Sequence, residues 1–174
     1  TKPLGAGSFA EVFHGKTSKG NYVAVKRINR QKLTKAKSKE LLEQEVKILG
    51  VLHNKHVMAL YDFIEEGAYA YLITEYCNAG DLDQYIKKNN MSEDMSAELA
   101  IQIVRGLHYL NSKGIIKRDL KPHNILRHQP DTSSSLIVKL TDLGFGRYLS
   151  ESMAETFCGS SRCRTPEFLF GRQN

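Results

Sequence analysis

Apolar and polar positions alternate with a period of two in the first part of this chain, and near 3.6 in much of the remainder. Tyr22-Val-Ala-Val-Lys-Arg-Ile28 is rich in β-branched and aromatic residues and predicts a strand with Ala24, Lys26 and Ile28 on one face. Leu4-Gly-Ala-Gly-Ser-Phe-Ala-Glu-Val12 reads as a glycine-bearing turn running into a second strand at Val12–His14. From Lys39 to Leu52 the period changes: Leu42, Val46 and Leu49 form a helical stripe, beside a row of Leu41, Glu45, Ile48 and Leu52. Strand patterns return at Val57–Phe63 and Tyr69–Tyr76 and end in the turn Asn78-Ala-Gly-Asp81. Ser92 then caps a helix with Glu93 and Asp94 in its first turn and Met95, Leu99, Ile103, Leu107 and Leu110 along one side, stopping near Gly114. Short strands at Asn124–Arg127 and Leu136–Thr141 flank a polar loop, Gln129–Ser135. The change near residue 77 predicts two lobes joined by a hinge.

Composition narrows the function more than the fold. The 174 residues are 41% hydrophobic and 25% charged, enough for a core and too apolar for long disorder. No apolar run approaches the roughly 20 residues of a membrane span, and the first residues carry no signal pattern. Cys77, Cys158 and Cys163 are too scattered for a disulfide framework or a metal knuckle, which favours a reducing, cytoplasmic setting. Much of the +6 net charge lies between Lys26 and Lys39, including Arg27, Arg30, Lys32, Lys35 and Lys37 without an acid. With no aromatic residue there to stack on bases, that stretch reads as a solvated loop, and no nucleic-acid partner is expected.

Two charged residues stand where apolar ones belong. Lys26 lies between two apolar neighbours on a strand face, and Glu45 lies on the edge of a buried helix face. Each needs a partner, and each suits the other. Further on, Ile115-Ile-Lys-Arg-Asp-Leu-Lys-Pro-His-Asn124 brings Asp119, Lys121 and Asn124 into six positions, and Leu140-Thr-Asp-Leu-Gly144 puts Asp142 at a strand end before a glycine. Taken singly, Lys26 and Glu45 read equally well as a structural ion pair, Asp119 as a loop acid and Asp142 as a turn residue.

The ordered set of glycine loop, strand lysine, helix glutamate, Asp119–Asn124 loop and Asp142 triplet resembles a eukaryotic protein kinase. That resemblance implies an α+β, bilobal fold: a β-rich N-lobe with one helix over 1–76, and an incomplete helical C-lobe over 77–174 with hinge, two helices, catalytic loop and activation segment. It implies ATP and Mg2+ as cofactors. Leu4, Gly5, Ala6, Gly7, Ser8, Phe9 and Ala10 would bind the nucleotide, Gly5 and Gly7 in the loop over its phosphates; Lys26 would hold the α/β-phosphates, and Glu45 would hold Lys26. Asp119 would orient the acceptor hydroxyl, Lys121 would neutralise the transferring phosphoryl group, and Asn124 and Asp142 would bind metal. Lysine two residues after Asp119 is the serine/threonine pattern. Glu75-Tyr-Cys-Asn-Ala-Gly-Asp-Leu82, Gly144-Phe-Gly-Arg-Tyr148 and Glu155-Thr-Phe-Cys-Gly-Ser160 are similar to the autophagy-initiating Atg1/ULK kinases. On that likeness Thr74 is the gatekeeper, Glu75 and Cys77 offer hinge backbone to adenine, and Asp81 reaches the ribose. Val12, Ala24 and Leu126 sandwich the purine, and Thr156 is a phosphosite facing Arg118. Partners would be protein substrates with Ser/Thr acceptors and subunits of an autophagy-initiation complex.

Several positions depart from the family pattern. Ala10 replaces the third glycine, and Leu143 replaces phenylalanine in Asp142-Leu-Gly144. Lys117 stands where the family has histidine, a charge that must snorkel or find an acid. Ser161-Arg-Cys-Arg-Thr165, before Pro166-Glu167, lacks the expected tyrosine and alanine, while Ser160 stands at the position that, on the resemblance, would contact Asp119. The chain stops at Asn174, before several helices of the large lobe, so the isolated chain is expected to be unstable and to turn over little. The alternative these departures favour is a catalytically impaired pseudokinase or a truncated module that binds nucleotide or partners.

Overall fold

The computed structural model describes residues 2–6, 10–33, 36–133, 135–143 and 147–148. Its first part is a five-stranded antiparallel sheet of β1 (Lys2–Ala6), β2 (Ala10–Lys16), β3 (Tyr22–Asn29), β4 (Leu60–Glu66) and β5 (Tyr69–Glu75), ordered β1-β2-β3-β5-β4. The segment read as a turn is therefore mostly a strand. β1 pairs with β2 through a register irregularity between Pro3 and Gly5, as expected where proline cannot donate to the ladder.

Helix α1 (Ala36–Gly50) lies between β3 and β4 in sequence and starts earlier than its apolar stripe predicts. The basic stretch before it is not a loop throughout. β3 runs on to Asn29, whose side chain caps a 3-10 turn at Arg30–Lys32 through Gln31 N at 3.0 Å. Leu33 is buried with Ile28, Ala70 and Leu72, so one apolar anchor fixes a polar segment. Its cations also find acids: Arg27 pairs with Glu11, and Arg30 lies 3.3 Å from Glu65.

After the hinge come α2 (Leu82–Lys88), α3 (Glu93–Ser112), β6 (Ile115–Ile116), β7 (Ile125–His128), β8 (Ile137–Leu140) and β9 (Arg147–Tyr148). Ser92 Oγ accepts from Met95 N at 3.2 Å, the cap read from the sequence. Gly114 takes φ +71° just past the end of α3, a conformation glycine reaches without Cβ strain. Leu99 and Leu110 are buried on α3 but Met95 is 41% exposed, and the face turned inward includes Gln102 and Gly106. The reason is a close approach: a Cβ on Gly106 would lie 2.8 Å from Leu140 Cδ1 and 3.0 Å from the carbonyl of His56. Gln102 donates to Leu136 O at 2.9 Å and accepts from Val138 N at 2.9 Å, completing the edge of β8.

The larger core joins Ile48 and Leu49 of α1, and Leu52 just beyond it, to Leu99, Leu110, Val138 and Leu140. The end of α1 thus packs against the helical part. Among the described residues, no helix is long and apolar enough to cross a membrane.

Candidate active site

A cavity of about 540 Å3 opens between the sheet and the α2/β7/β8 region. Its lining includes Leu4, Gly5, Val12, Ala24, Lys26, Glu45, Thr74, Glu75, Cys77, Asp81, Leu126 and Asp142. These residues are spread over 139 positions from Leu4 to Asp142, and sheet register brings them together. Val12 is opposite Lys26 and Ala24 is opposite Thr74, so inward side chains of β2, β3 and β5 share one face.

Lys26 Nζ lies 3.0 Å from Glu45 Oε2 and 3.3 Å from Oε1. Burial works against the lysine's charge, but the Glu45 and Asp142 carboxylates outweigh it and its pKa is raised. The amine therefore remains a cation at neutral pH, pointing into the cavity. Leu49, Met58 and Leu72 line the same space. Leu49 of the α1 stripe thus supplies part of the wall.

The hinge is stitched to β7. Ala79 N donates to Arg127 O at 3.0 Å and Arg127 N to Gly80 O at 2.8 Å, while Asn78 exchanges two bonds with Gln129. Gly80, at φ +72°, makes the turn. Arg127 stacks over Tyr85 with its guanidinium 3.9 Å from the ring centroid. Glu75 N already donates to Ala59 O at 3.0 Å, and its carbonyl accepts a long bond of 3.5 Å from the Thr74 hydroxyl, which leaves it a second lone pair for a ligand. Asp81 caps α2 and holds Gln84 by both carboxylate oxygens, each at 2.8 Å. Burial, with Glu75 nearby, pushes the Cys77 thiol up to about 12, so it stays uncharged.

The 3-10 turn Pro122–Asn124 and the residues before it carry the second cluster. Asp119 is 4% exposed. Its Oδ2 lies 2.7 Å from Lys121 Nζ and accepts from Asn124 Nδ2 at 3.0 Å, and its carbonyl accepts from the same amide at 3.1 Å. Because both acceptors are oxygens, the NH2 end of Asn124 must face Asp119, and its amide oxygen remains for another partner. Thr141 N donates to Asn124 O at 3.0 Å, tying this turn to Asp142.

Two groups escaped sequence reading. Lys139 is buried on β8, with Nζ 2.7 Å from Glu75 Oε2. It links the hinge to the strand leading to Asp142, and its single charge in an apolar strand was the available signal. His56, also buried, faces Val138 O through Nδ1 at 3.2 Å. Lys117 was expected to snorkel or meet an acid; it lies within electrostatic reach of Asp142, Asp119 and Glu45, and its hydrogen bonds go to backbone. Its ammonium donates to the carbonyls of Thr141 and Asp142, each at 2.8 Å. Burial lowers its pKa to about 8, against the pull of Asp142, Asp119 and Glu45.

Gly5, Ala6 and Ala10 sit at the adjoining ends of β1 and β2, and Arg118 precedes Asp119. Gly7, Ser8, Phe9 and Thr156 lie outside the described residues, as do Ser160 and the segment before Pro166.

Comparison with known proteins decides what this geometry belongs to. The protein kinase domain family matches residues 1–174. The chain belongs to that family. It is 44% identical to human serine/threonine-protein kinase ULK1 over 177 aligned residues, covering 97% of this chain and 17% of that protein. It is 37% identical to serine/threonine-protein kinase unc-51 of Caenorhabditis elegans, covering 98% of this chain and 21% of the relative. With serine/threonine-protein kinase atg1 of Schizosaccharomyces pombe the identity is 35%, covering 95% and 24%. The chain thus spans between a sixth and a quarter of the length of these three relatives, and it is an Atg1/ULK-like kinase sequence over nearly its whole extent.

Proposed function

We propose that this chain carries the ATP-dependent phosphotransfer site of a serine/threonine protein kinase of the Atg1/ULK kind. The observation that carries the reading is one cavity walled by the Lys26–Glu45 pair and Asp142, with Asn124 bonded to both Asp119 and the Thr141 backbone beside it. Residues 1–76 form the nucleotide-covering lobe and 77–174 the part that carries the acceptor chemistry.

The donor chemistry fits Mg2+. Asn124 supplies an amide oxygen and Asp142 a carboxylate, hard oxygen ligands of the number this ion takes from protein when phosphates complete its shell. No group of three or more His, Cys, Asp and Glu able to hold a metal occurs among the described residues, so a closed all-protein cage is not the arrangement there. When bound, the ion would neutralise phosphate charge and orient the γ-phosphoryl group.

The chain's own residues divide the remaining work. Leu4, Val12, Ala24 and Leu126 enclose the purine, the Glu75 carbonyl and Cys77 backbone meet its edge, and Asp81 faces the ribose. Gly5, Ala6, Gly7, Ser8, Phe9 and Ala10 cover the phosphates. Lys26, kept charged and aimed by Glu45, binds α/β oxygens. Asp119 accepts a hydrogen bond from the acceptor Ser or Thr hydroxyl and aligns its oxygen with the phosphorus. Lys121 stabilises charge on the transferring group. Catalysis is then mainly positioning and electrostatic stabilisation. Thr156, with Arg118 as its cationic partner, is the regulatory phosphosite. The partners are protein substrates and subunits of an autophagy-initiation complex, in the cytoplasm.

The test is transfer of radiolabelled γ-phosphate from Mg-ATP to serine or threonine of a generic basic protein. Asp119→Asn, which keeps the side-chain volume, should lower the rate by about 10²–10⁴-fold. Equal rates for the two proteins would remove Asp119 from the mechanism. A melting temperature raised by Mg-ATP with no transfer would favour the pseudokinase reading.

A further inference from the structure

The structure assigns Lys117 a positioning role: its ammonium clamps the backbone on both sides of Asp142 and so fixes the carboxylate that would face Mg2+. The inference rests on the proposed phosphotransfer reading, in which Asp142 is a metal ligand.

Asp142 is the only non-glycine among the described residues with positive φ, at +58°. L-residues with a Cβ disfavour this region, and such a residue keeps it only where its surroundings over-determine it. Three contacts do so here. Thr141 N is bonded to Asn124 O at 3.0 Å, on the amino side. Leu143 is fully buried in the larger core, on the carboxyl side. Lys117 Nζ donates at 2.8 Å to the carbonyl of Thr141 and at 2.8 Å to that of Asp142.

Those two carbonyls belong to the peptide planes flanking the Asp142 Cα. One ammonium bonded to both limits rotation about φ and ψ together. Lysine suits this geometry because it brings three donors on one atom and no acceptor. Lys117 is also two residues before Asp119, just after β6, so the same clamp couples the catalytic loop to the Asp142 loop. The histidine-to-lysine departure is therefore compatible with an assembled site.

Position and charge make opposite predictions, which gives the test a sign. An ammonium beside a metal site repels the metal, so a side chain acting only as a charge weakens Mg2+ binding, and its removal tightens it. A side chain that holds the ligand in place strengthens binding, and its removal weakens it.

The measurement is binding of a fluorescent, non-hydrolysable ATP analogue to the purified protein at pH 7 across a MgCl2 titration, with melting temperature recorded in parallel. Lys117→Met should raise the Mg2+ concentration for half-maximal enhancement about tenfold, the scale of losses when outer partners of metal ligands are removed. Affinity for the analogue without Mg2+ should stay within about twofold, since the purine walls are untouched. Lys117→Gln keeps one donor group without the charge. It should also need more Mg2+ than the parent, though less than Lys117→Met, and it carries the test if the methionine variant does not fold. An unchanged or lowered Mg2+ requirement in the folded variants overturns the role, including when only the melting temperature falls. Parent protein without Mg2+-dependent binding would overturn the phosphotransfer reading and this inference together.

Discussion

The two sides of the cavity hold their charges differently. On the sheet side a single pair, Lys26–Glu45, reaches from β3 to α1, and the lysine side chain is 31% exposed. On the loop side Asp119, 4% exposed, is held by Lys121 and by both its own carbonyl's and carboxylate's bonds to Asn124, which in turn anchors Thr141. The first arrangement depends on the distance between β3 and α1, which meet through Leu42 and Val46 packed against the Ile28 cluster, and it lengthens if α1 shifts on that cluster. The second is a local network in which no member can move alone. One side is adjustable, and the other is preorganised.

Removing the adjustable pair should cost activity and little stability. Lys26→Met is expected to lower kcat/KM by about 10²–10³-fold, the scale for losing one fixed charge stabiliser. Its melting temperature should fall less than that of Asn124→Ala, because the lysine side chain is 31% exposed and only one buried group, the Glu45 carboxylate, loses a partner. Glu45→Gln should lose less activity, since Asp142 still attracts the lysine. Steady-state kinetics beside thermal melts check this. A large drop in melting temperature for either variant would mean the pair is a structural strut and the contrast is wrong.

Asn124→Ala strikes the preorganised side. It strips a buried carboxylate and a buried carbonyl of their shared donor, and should destabilise by about 1–3 kcal/mol as well as lowering activity. Denaturant unfolding gives the figure. Stability equal to the parent would show that water or Lys121 replaces the amide, and that the network is looser than its geometry.

What the sequence revealed follows the same division. Lys26 and Glu45 were legible because each is a charge inside an apolar periodicity, and such a violation asks for a partner. The strand faces were legible too, since period two leaves few choices. The loop side showed its residue types but not its bonds. Nothing in Asp119-Leu-Lys-Pro-His-Asn124 says which way the Asn124 amide turns. Lys117 shows the limit best: its position predicts trouble, but backbone carbonyls carry no letter in a sequence. Likewise Met95 fits the α3 stripe and lies exposed, while Gly106 breaks it and is buried, because β8 approaches too closely for a larger residue. Helix period places a face, and contact distance decides who occupies it.

The smallest expected effect tests how far the preorganised side extends behind the loop. His56 is buried under α3, its Nδ1–H toward Val138 O, with its carbonyl accepting from Leu140 N at 2.9 Å. Burial lowers its pKa below 6.5. The Val138 carbonyl opposes that shift, and the charges of Lys55, Arg105 and Lys139 reinforce it. Since the folded state binds this proton less readily than the unfolded chain, the unfolded state gains protons first as pH falls. Stability from neutral His56 is therefore full above about pH 6.5 and declines below it. Melting temperatures at about pH 7.5 and about pH 5.5 should differ more for the parent than for His56→Gln, which cannot titrate. The difference should be smaller than the loss from Asn124→Ala, because the added proton goes to Nε2, which costs the burial of one charge and leaves the Nδ1–H bond to Val138 O, and Asp119 with its partners, in place. Equal pH dependence in the two proteins would place the acid sensitivity elsewhere and confine the preorganised side to the loop itself.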